Sequence, residues 1–164
     1  MTEFSWVSES WAAILLWGGL ATVVMTSVLE GAQMAGLTRL SLPYLFGTAF
    51  TENRRRATLL GYVLYILGGW LFALVYAAIL ETWGCKWWIG PLAGAVHAAV
   101  LLTVFLRLLV EVHPRIAAPH QGPTARYRLE RPGPFALHYG YMTPVTTAVA
   151  QIVFGLIFGL GYCV

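Results

Sequence analysis

The sequence predicts an all-α protein built as a bundle of four transmembrane helices, and two observations lead to that prediction. Of the 164 residues, 59% are hydrophobic and only 10% are charged, whereas soluble domains average about 25% charged residues. The hydrophobic residues also lie in long blocks, which hold more apolar surface than a soluble core of this size could bury. We therefore expect residues 1–164 to form one transmembrane domain.

Four blocks reach the roughly 20 apolar residues that cross a hydrocarbon core about 30 Å thick. We predict a helix for each block, because a lone strand would leave its backbone polar groups unpaired in lipid. No basic segment or small-residue cleavage site precedes the first block, so we expect no removable signal peptide. The predicted spans are about 11–34, 57–80, 87–110 and 142–163, with long connections at about 35–56 and 111–141.

The basic residues predict the orientation of these spans. Nine of the ten fall in or beside the two long connections, and only Lys86 lies on the opposite side. The positive-inside rule then places both connections in the cytoplasm and both chain termini outside. Tryptophans near the outer ends agree, because indole rings favour the membrane interface. The nine basic residues are Arg39, Arg54, Arg55, Arg56, Arg107, Arg115, Arg126, Arg128 and Arg131, and the tryptophans are Trp6, Trp11, Trp83, Trp87 and Trp88.

The long connections are predicted to lack regular helices. Pro43 should break any helix within 37–50, so we expect a short segment that lies along the inner membrane surface. Residues 114–134 contain five prolines, which predicts a loop.

Similarity between the two halves of the chain predicts a tandem duplication of a two-helix unit. Residues 19–25 resemble 91–97, and residues 69–76 resemble 155–162. The two units would be related by an axis along the membrane normal, although apolar helices also resemble each other by chance. Small residues recur at four-residue spacing, which predicts close helix packing; they are Gly69, Ala73, Ala77, Gly90, Gly94, Ala98, Gly155 and Gly159.

Few ionisable groups lie within the predicted spans, and each is a candidate for function. Glu30 and Arg107 lie about 19 and 20 residues into their helices, so we expect a structural ion pair near the inner interface. His97 lies near the middle of the membrane, where its imidazole could be the axial ligand of a haem or chlorophyll. We favour the alternative that a neutral His97 forms a hydrogen bond with Gln151, which lies at comparable depth.

The two cysteines and the catalytic motifs set further expectations. Cys85 and Cys163 both lie near the outer face, where they could form a disulfide. The chain has no Cys-x-x-Cys, Walker loop, zinc-protease motif or nucleophile elbow, so we predict neither a catalytic residue nor a metal site. Polar residues of the connections are predicted to form a cytoplasmic interface, namely Arg39, Arg54, Arg55, Arg56, His113 and Arg115.

Three runs of the connections, 36–47, 113–115 and 129–140, resemble a group of small bacterial four-helix membrane proteins. The resemblance covers nearly the whole chain and implies a bacterial inner-membrane protein. It implies no activity, cofactor or catalytic residue.

Several function classes fit these features. We favour an accessory subunit of a larger membrane complex, photosynthetic or respiratory, with membrane lipid and other integral membrane subunits as partners. A pigment-binding or haem-binding protein that uses His97 and a small transporter are the alternatives, and a lipid-active enzyme using His113, Arg115 and His138 has no specific support. No cofactor is required, although lipid or pigment could be bound. Nucleic acid is not expected, because membrane orientation already explains the basic residues.

Overall fold

The computed structural model describes residues 4–116 and 129–164, with the backbone alone for 4–10. Arg126 and Arg128 of the predicted cytoplasmic loop lie outside the described residues, as does the side chain of Trp6. The elements are α1 (Phe4–Met34), α2 (Leu42–Thr48), α3 (Arg54–Trp83), α4 (Ile89–Val100), a π-helical segment (Leu101–Phe105), α5 (Leu106–Val112), a 3₁₀ segment (Pro134–Tyr139) and α6 (Thr143–Tyr162).

The predicted all-α fold is confirmed for the described part of the chain. Four helices are long and apolar enough to span a membrane. The third of them, Ile89–Val112, consists of α4, the π-helical segment and α5 in direct succession, and we call it the third long helix. The other three are α1, α3 and α6.

The bundle is closed on three sides and open on the fourth. Helix α6 packs along both α1 and α4, and α1 packs along α3. Helix α3 and the third long helix, by contrast, touch each other sparsely. This open side is where the structure leaves room between helices.

Small residues bring the backbones of α4 and α6 into direct contact, as their spacing predicts. A Cβ on Gly90 would overlap the carbonyl oxygen of Gly155, and a Cβ on Gly155 would overlap that of Gly90. Between α1 and α3, a Cβ on Gly69 would overlap the side chain of Thr22. Dispersion contact of this kind holds helices together where no water is available to drive association.

The prediction that Pro43 excludes a helix is wrong, because Pro43 stands in the first turn of α2. The first turn is where proline is tolerated, since its missing N–H has no partner there in any helix. Ser41 caps this helix, with its Oγ accepting a hydrogen bond from the Tyr44 N–H at 3.4 Å. Helix α2 does not merely lie along a surface: Leu42, Pro43 and Leu45 are buried, and α2 packs on α3.

The two ends of the bundle differ in chemistry. At one end, which we call the disulfide end, Cys85 and Cys163 form a disulfide with their Cα atoms 5.6 Å apart. It links the turn after α3 to the residue that follows α6. At the other end, which we call the arginine end, Arg54, Arg55 and Arg56 form the exposed first turn of α3.

Replacing Gly155 with Leu tests the contact between α4 and α6. The added side chain meets backbone that cannot move aside, so we expect the free energy of unfolding in detergent to fall by about 3 kcal/mol. Gly31→Leu is the matched control, because a Cβ on Gly31 meets no atom within 4 Å. Thermal unfolding followed by fluorescence measures both variants, and equal melting temperatures would contradict the close contact.

Candidate functional site

The open side of the bundle contains a cavity of about 190 Å³. Its walls are almost wholly apolar, and α2 forms its floor toward the arginine end. Helix α3 contributes Tyr65, Gly68, Gly69 and Phe72, the third long helix contributes His97, Val100, Leu101 and Phe105, and the remaining lining residues are Met25, Leu42, Phe46, Gln151 and Phe154.

The cavity opens sideways, onto the outer surface of the bundle. Three of its lining residues are exposed there: Phe72 on α3, and Val100 and Phe105 on the third long helix. An opening on this apolar face would admit a molecule dissolved in lipid more readily than one dissolved in water.

Helix α2 lies between the two walls of the cavity, α3 and the third long helix, and separates them. Cβ atoms on Gly47 and Gly61 would overlap carbonyl oxygens of the opposite helix, so α2 and α3 meet backbone to backbone. From this position Phe46 reaches both walls, with ring centroids 6.2 Å from Tyr65 and 5.9 Å from Phe105. The aromatic contact on each side spaces α3 from the third long helix.

The π-helical segment contributes to the same cavity. Leu101 and Phe105, its first and last residues, are both lining residues. A π turn adds a residue to the helical repeat and so changes which side chains face a neighbouring helix. Such segments occur disproportionately at functional sites.

His97 is the histidine of the cavity wall, and its hydrogen-bond partner differs from the one predicted. Its Nδ1 lies 3.3 Å from the hydroxyl of Tyr76, and Phe72 lies over the imidazole with ring centroids 4.0 Å apart. Tyr76 is almost fully buried, and its ring packs edge-on against Phe154. These contacts fix the position of the imidazole ring.

Gln151 lines the same cavity, but its side-chain oxygen forms no hydrogen bond with His97. It is 3% exposed, and its Oε1 has no hydrogen-bond partner. The predicted pair is therefore brought into one cavity, but Tyr76, rather than Gln151, partners the imidazole. Residue counting along the helices predicts a similar depth for His97 and Gln151, and both line the cavity. It does not predict the Tyr76 hydroxyl, which belongs to α3 and lies 3.3 Å from the imidazole.

The predicted ion pair between Glu30 and Arg107 is wrong. Arg107 is exposed, and Glu30 Oε1 is buried with no hydrogen-bond partner. Equal depth does not bring the two together, because α1 packs on α3 and α6 while the third long helix packs on the far side of α6. The salt bridges of the described residues lie instead in the connections, Arg39 with Glu130 at 3.1 Å and Arg115 with Glu52 at 3.6 Å.

His113 and Arg115 attach the third long helix to the end of α2. His113 is buried, and its Nε2 donates to the Leu45 carbonyl at 3.0 Å, while its Nδ1 accepts from the Arg115 N–H at 3.1 Å. The Arg115 guanidinium donates to the Thr48 carbonyl. Two of the predicted interface residues thus act within the chain and hold the floor of the cavity in place.

The other predicted interface residues lie at the surface of the arginine end. Arg54, Arg55 and Arg56 are exposed. Arg39 connects the two long connections through Glu130 and through the backbone hydrogen bond from its N–H to the Tyr139 carbonyl, at 2.7 Å. A second, more polar cavity of about 200 Å³ lies beside these residues.

No family model, curated protein or solved structure matches this chain. The class of protein is therefore defined by the fold and the site: an all-helical protein with four helices of membrane-spanning length and a lateral apolar cavity beside a histidine.

The environment of His113 predicts a dependence of stability on pH. Burial lowers the pKa of His113 from its ordinary value, and the nearby Arg115 lowers it further, against the opposing effect of the Leu45 carbonyl. Below about pH 6.5 His113 becomes protonated in the unfolded chain, whereas in the folded chain its lowered pKa keeps it neutral to a lower pH. The free energy of unfolding is therefore not reduced by His113 above about pH 6.5, and it falls as the pH drops below that value.

Thermal unfolding in detergent between about pH 7.5 and pH 5 tests this dependence. We expect the melting temperature to fall with pH, and to fall less steeply in His113→Gln, whose amide can still donate to the Leu45 carbonyl. The same pH dependence in both proteins would show that other groups cause it.

Proposed function

We propose that this chain is a bacterial inner-membrane protein that holds a hydrophobic small molecule, taken from the lipid phase, in its lateral cavity. Insertion in a membrane is supported by the outer faces of the four long helices, where large apolar side chains are exposed along their length. Examples are Leu16 at 66%, Leu59 at 62%, Leu71 at 62% and Val96 at 57% exposure. Water would make an apolar surface of this extent unfavourable, and lipid does not.

The two ends of the bundle support the orientation predicted from charge. Disulfides persist in oxidising compartments such as the periplasm, which favours a periplasmic location for the disulfide end. At the arginine end, three arginines occupy the first turn of α3, where the helix dipole disfavours cations. Anionic lipid headgroups of the inner leaflet would offset that cost. Both termini of the chain then lie outside.

Reporter fusions at the C-terminus test this orientation. A bacterial alkaline phosphatase fused after Val164 should be active, because that enzyme needs the periplasm to form its own disulfides. Green fluorescent protein at the same site should be dark. A bright fluorescent fusion with an inactive phosphatase would place this terminus in the cytoplasm and reverse the orientation.

The single observation that carries the binding function is the composition of the cavity. It combines apolar walls with three side chains that carry polar groups, Tyr65, His97 and Gln151, which is the usual pattern of small-molecule sites. Its volume exceeds the roughly 150 Å³ of an engineered apolar cavity that binds benzene. It therefore has room for a six-membered ring or a segment of hydrocarbon chain, with the rest of the molecule extending into lipid.

The predicted role as an accessory subunit of a larger membrane complex stays compatible with this function. The bound hydrophobic molecule could function within such a complex, and the exposed apolar helix faces could contact neighbouring subunits. No described feature favours a transporter.

The open side of the bundle breaks the symmetry that a tandem duplication would produce. If two-helix units were related by an axis along the membrane normal, the contact between α1 and α6 would correspond to one between the third long helix and α3. The first contact is extensive and the second sparse. We propose that an ancestral duplication lost its symmetry on this side, where α2 and the cavity now separate the helices.

Gly68→Leu tests the binding function directly. Gly68 lines the cavity, and a Cβ there meets no atom within 4 Å, so a larger side chain can occupy the cavity without displacing the backbone. We expect wild-type protein, extracted gently from its native membrane, to carry a hydrophobic molecule in near-stoichiometric amount. The variant should carry less than about a tenth of that amount.

Mass spectrometry of the organic extract measures the molecule, and the same sample reveals any subunit that co-purifies in fixed ratio. Gly31→Leu is the matched control, since Gly31 is equally unobstructed but does not line the cavity. Identical extracts from all three proteins would refute binding in the cavity.

A further inference from the structure

The tautomer of His97 limits which chemical groups the cavity can bind by hydrogen bonding. The Tyr76 hydroxyl is buried, and its hydrogen-bond partner within the described chain is Nδ1 of His97. A buried O–H without an acceptor costs about 1–3 kcal/mol. The arrangement that satisfies both groups has Tyr76 donating its proton to Nδ1.

This tautomer places the imidazole proton on Nε2. A neutral imidazole carries one N–H and one lone pair, and the lone pair of Nδ1 is already used by Tyr76. Nε2 has no hydrogen-bond partner in the described part of the chain, and His97 lines the cavity. His97 therefore offers the cavity an N–H donor that a ligand can satisfy, rather than a lone pair suited to binding a haem iron.

The remaining walls favour a flat, conjugated group next to that donor. Five of the lining side chains are aromatic: Phe46, Tyr65, Phe72, Phe105 and Phe154. Aromatic side chains pack well against planar rings, in stacked or edge-on geometries. The 190 Å³ volume accommodates one such ring, and the lateral opening gives a hydrocarbon tail a path into lipid.

Gln151 adds a second polar group to the same wall. Its Oε1 has no partner, so no hydrogen bond of that oxygen fixes the amide. The amide can turn to meet a second oxygen substituent on the ring, and its NH₂ group can donate to that oxygen.

Building on the proposed function, we propose that the cavity binds the head of a quinone-type lipid, a conjugated ring whose carbonyl oxygen accepts a hydrogen bond from His97 Nε2. The ring lies among the aromatic side chains, and the apolar tail leaves between α3 and the third long helix. This is a proposal about binding, in which no electron transfer is required.

Three probes with matched tails test the proposal on protein in lipid nanodiscs free of quinone. A decyl-substituted 1,4-benzoquinone carries both ring and carbonyl, decylbenzene carries the ring alone, and a long-chain 2-alkanone carries the carbonyl alone. Wild-type protein should bind the benzoquinone about 5- to 10-fold more tightly than either of the others, the range that one hydrogen bond gives. Empty nanodiscs correct for partition into lipid.

Variants assign the preference to His97. His97→Leu should lose the 5- to 10-fold preference for the benzoquinone and keep its affinity for decylbenzene, which also shows that the cavity is intact. Tyr76→Phe should lose part of the preference, because the imidazole proton is then free to move to Nδ1. In the infrared spectrum, the carbonyl band of the bound benzoquinone should shift to lower frequency in wild type and return in His97→Leu.

Each alternative outcome has its own meaning. If wild-type protein binds none of the probes, the proposed function fails and this inference fails with it. If wild type binds benzoquinone and decylbenzene equally, the cavity is a hydrophobic site and the carbonyl contact is refuted. If the alkanone binds as tightly as the benzoquinone, the ring is not recognised, and an acyl lipid replaces the quinone as the ligand. A preference that survives in His97→Leu refutes the role of His97.

Discussion

The backbone contact between α2 and α3 is the interaction on which the site depends. Gly47 and Gly61 let the two helices approach until a Cβ on either would overlap a carbonyl oxygen, and dispersion over such a surface is the main attraction available in an apolar medium. Helix α2 has only seven residues and would not be stable alone. Packed on α3 and tied to the third long helix through His113, it becomes a fixed floor.

That floor explains why a small bundle contains a cavity at all. Helices with small residues at four-residue spacing normally close on each other, as α4 and α6 do at Gly90 and Gly155. Between α3 and the third long helix, Phe46 contacts an aromatic ring on each side, so the helices cannot meet. The unfilled volume costs free energy of folding, and binding of the hydrophobic molecule that we propose would offset that cost.

Sequence reasoning predicted the helices well because each long helix satisfies its own backbone hydrogen bonds, so length and composition suffice to recognise it. It also predicted that Cys85 and Cys163 share one end of the bundle, since both lie at helix termini. It failed for Glu30 and Arg107, because residue counting gives height along a helix but not direction around it. Each residue turns the helix by about 100°, and helix neighbours depend on packing that composition does not reveal. Pro43 misled for a different reason: whether proline breaks or begins a helix depends on a cap, here Ser41.

His97 shows how far a single hydrogen bond can decide between functions. From the sequence, an imidazole at mid-membrane among small residues could bind a metal or form a hydrogen bond, and the hydrogen bond is the favoured interpretation. The hydroxyl of Tyr76, which comes from a different helix, lies 3.3 Å from one ring nitrogen and supports the hydrogen-bonded interpretation. In the arrangement that we propose, the buried hydroxyl donates its proton to Nδ1, and Nε2 therefore keeps the hydrogen. Under this proposal Tyr76, which is not among the lining residues, determines which hydrogen-bonding group His97 presents to the cavity.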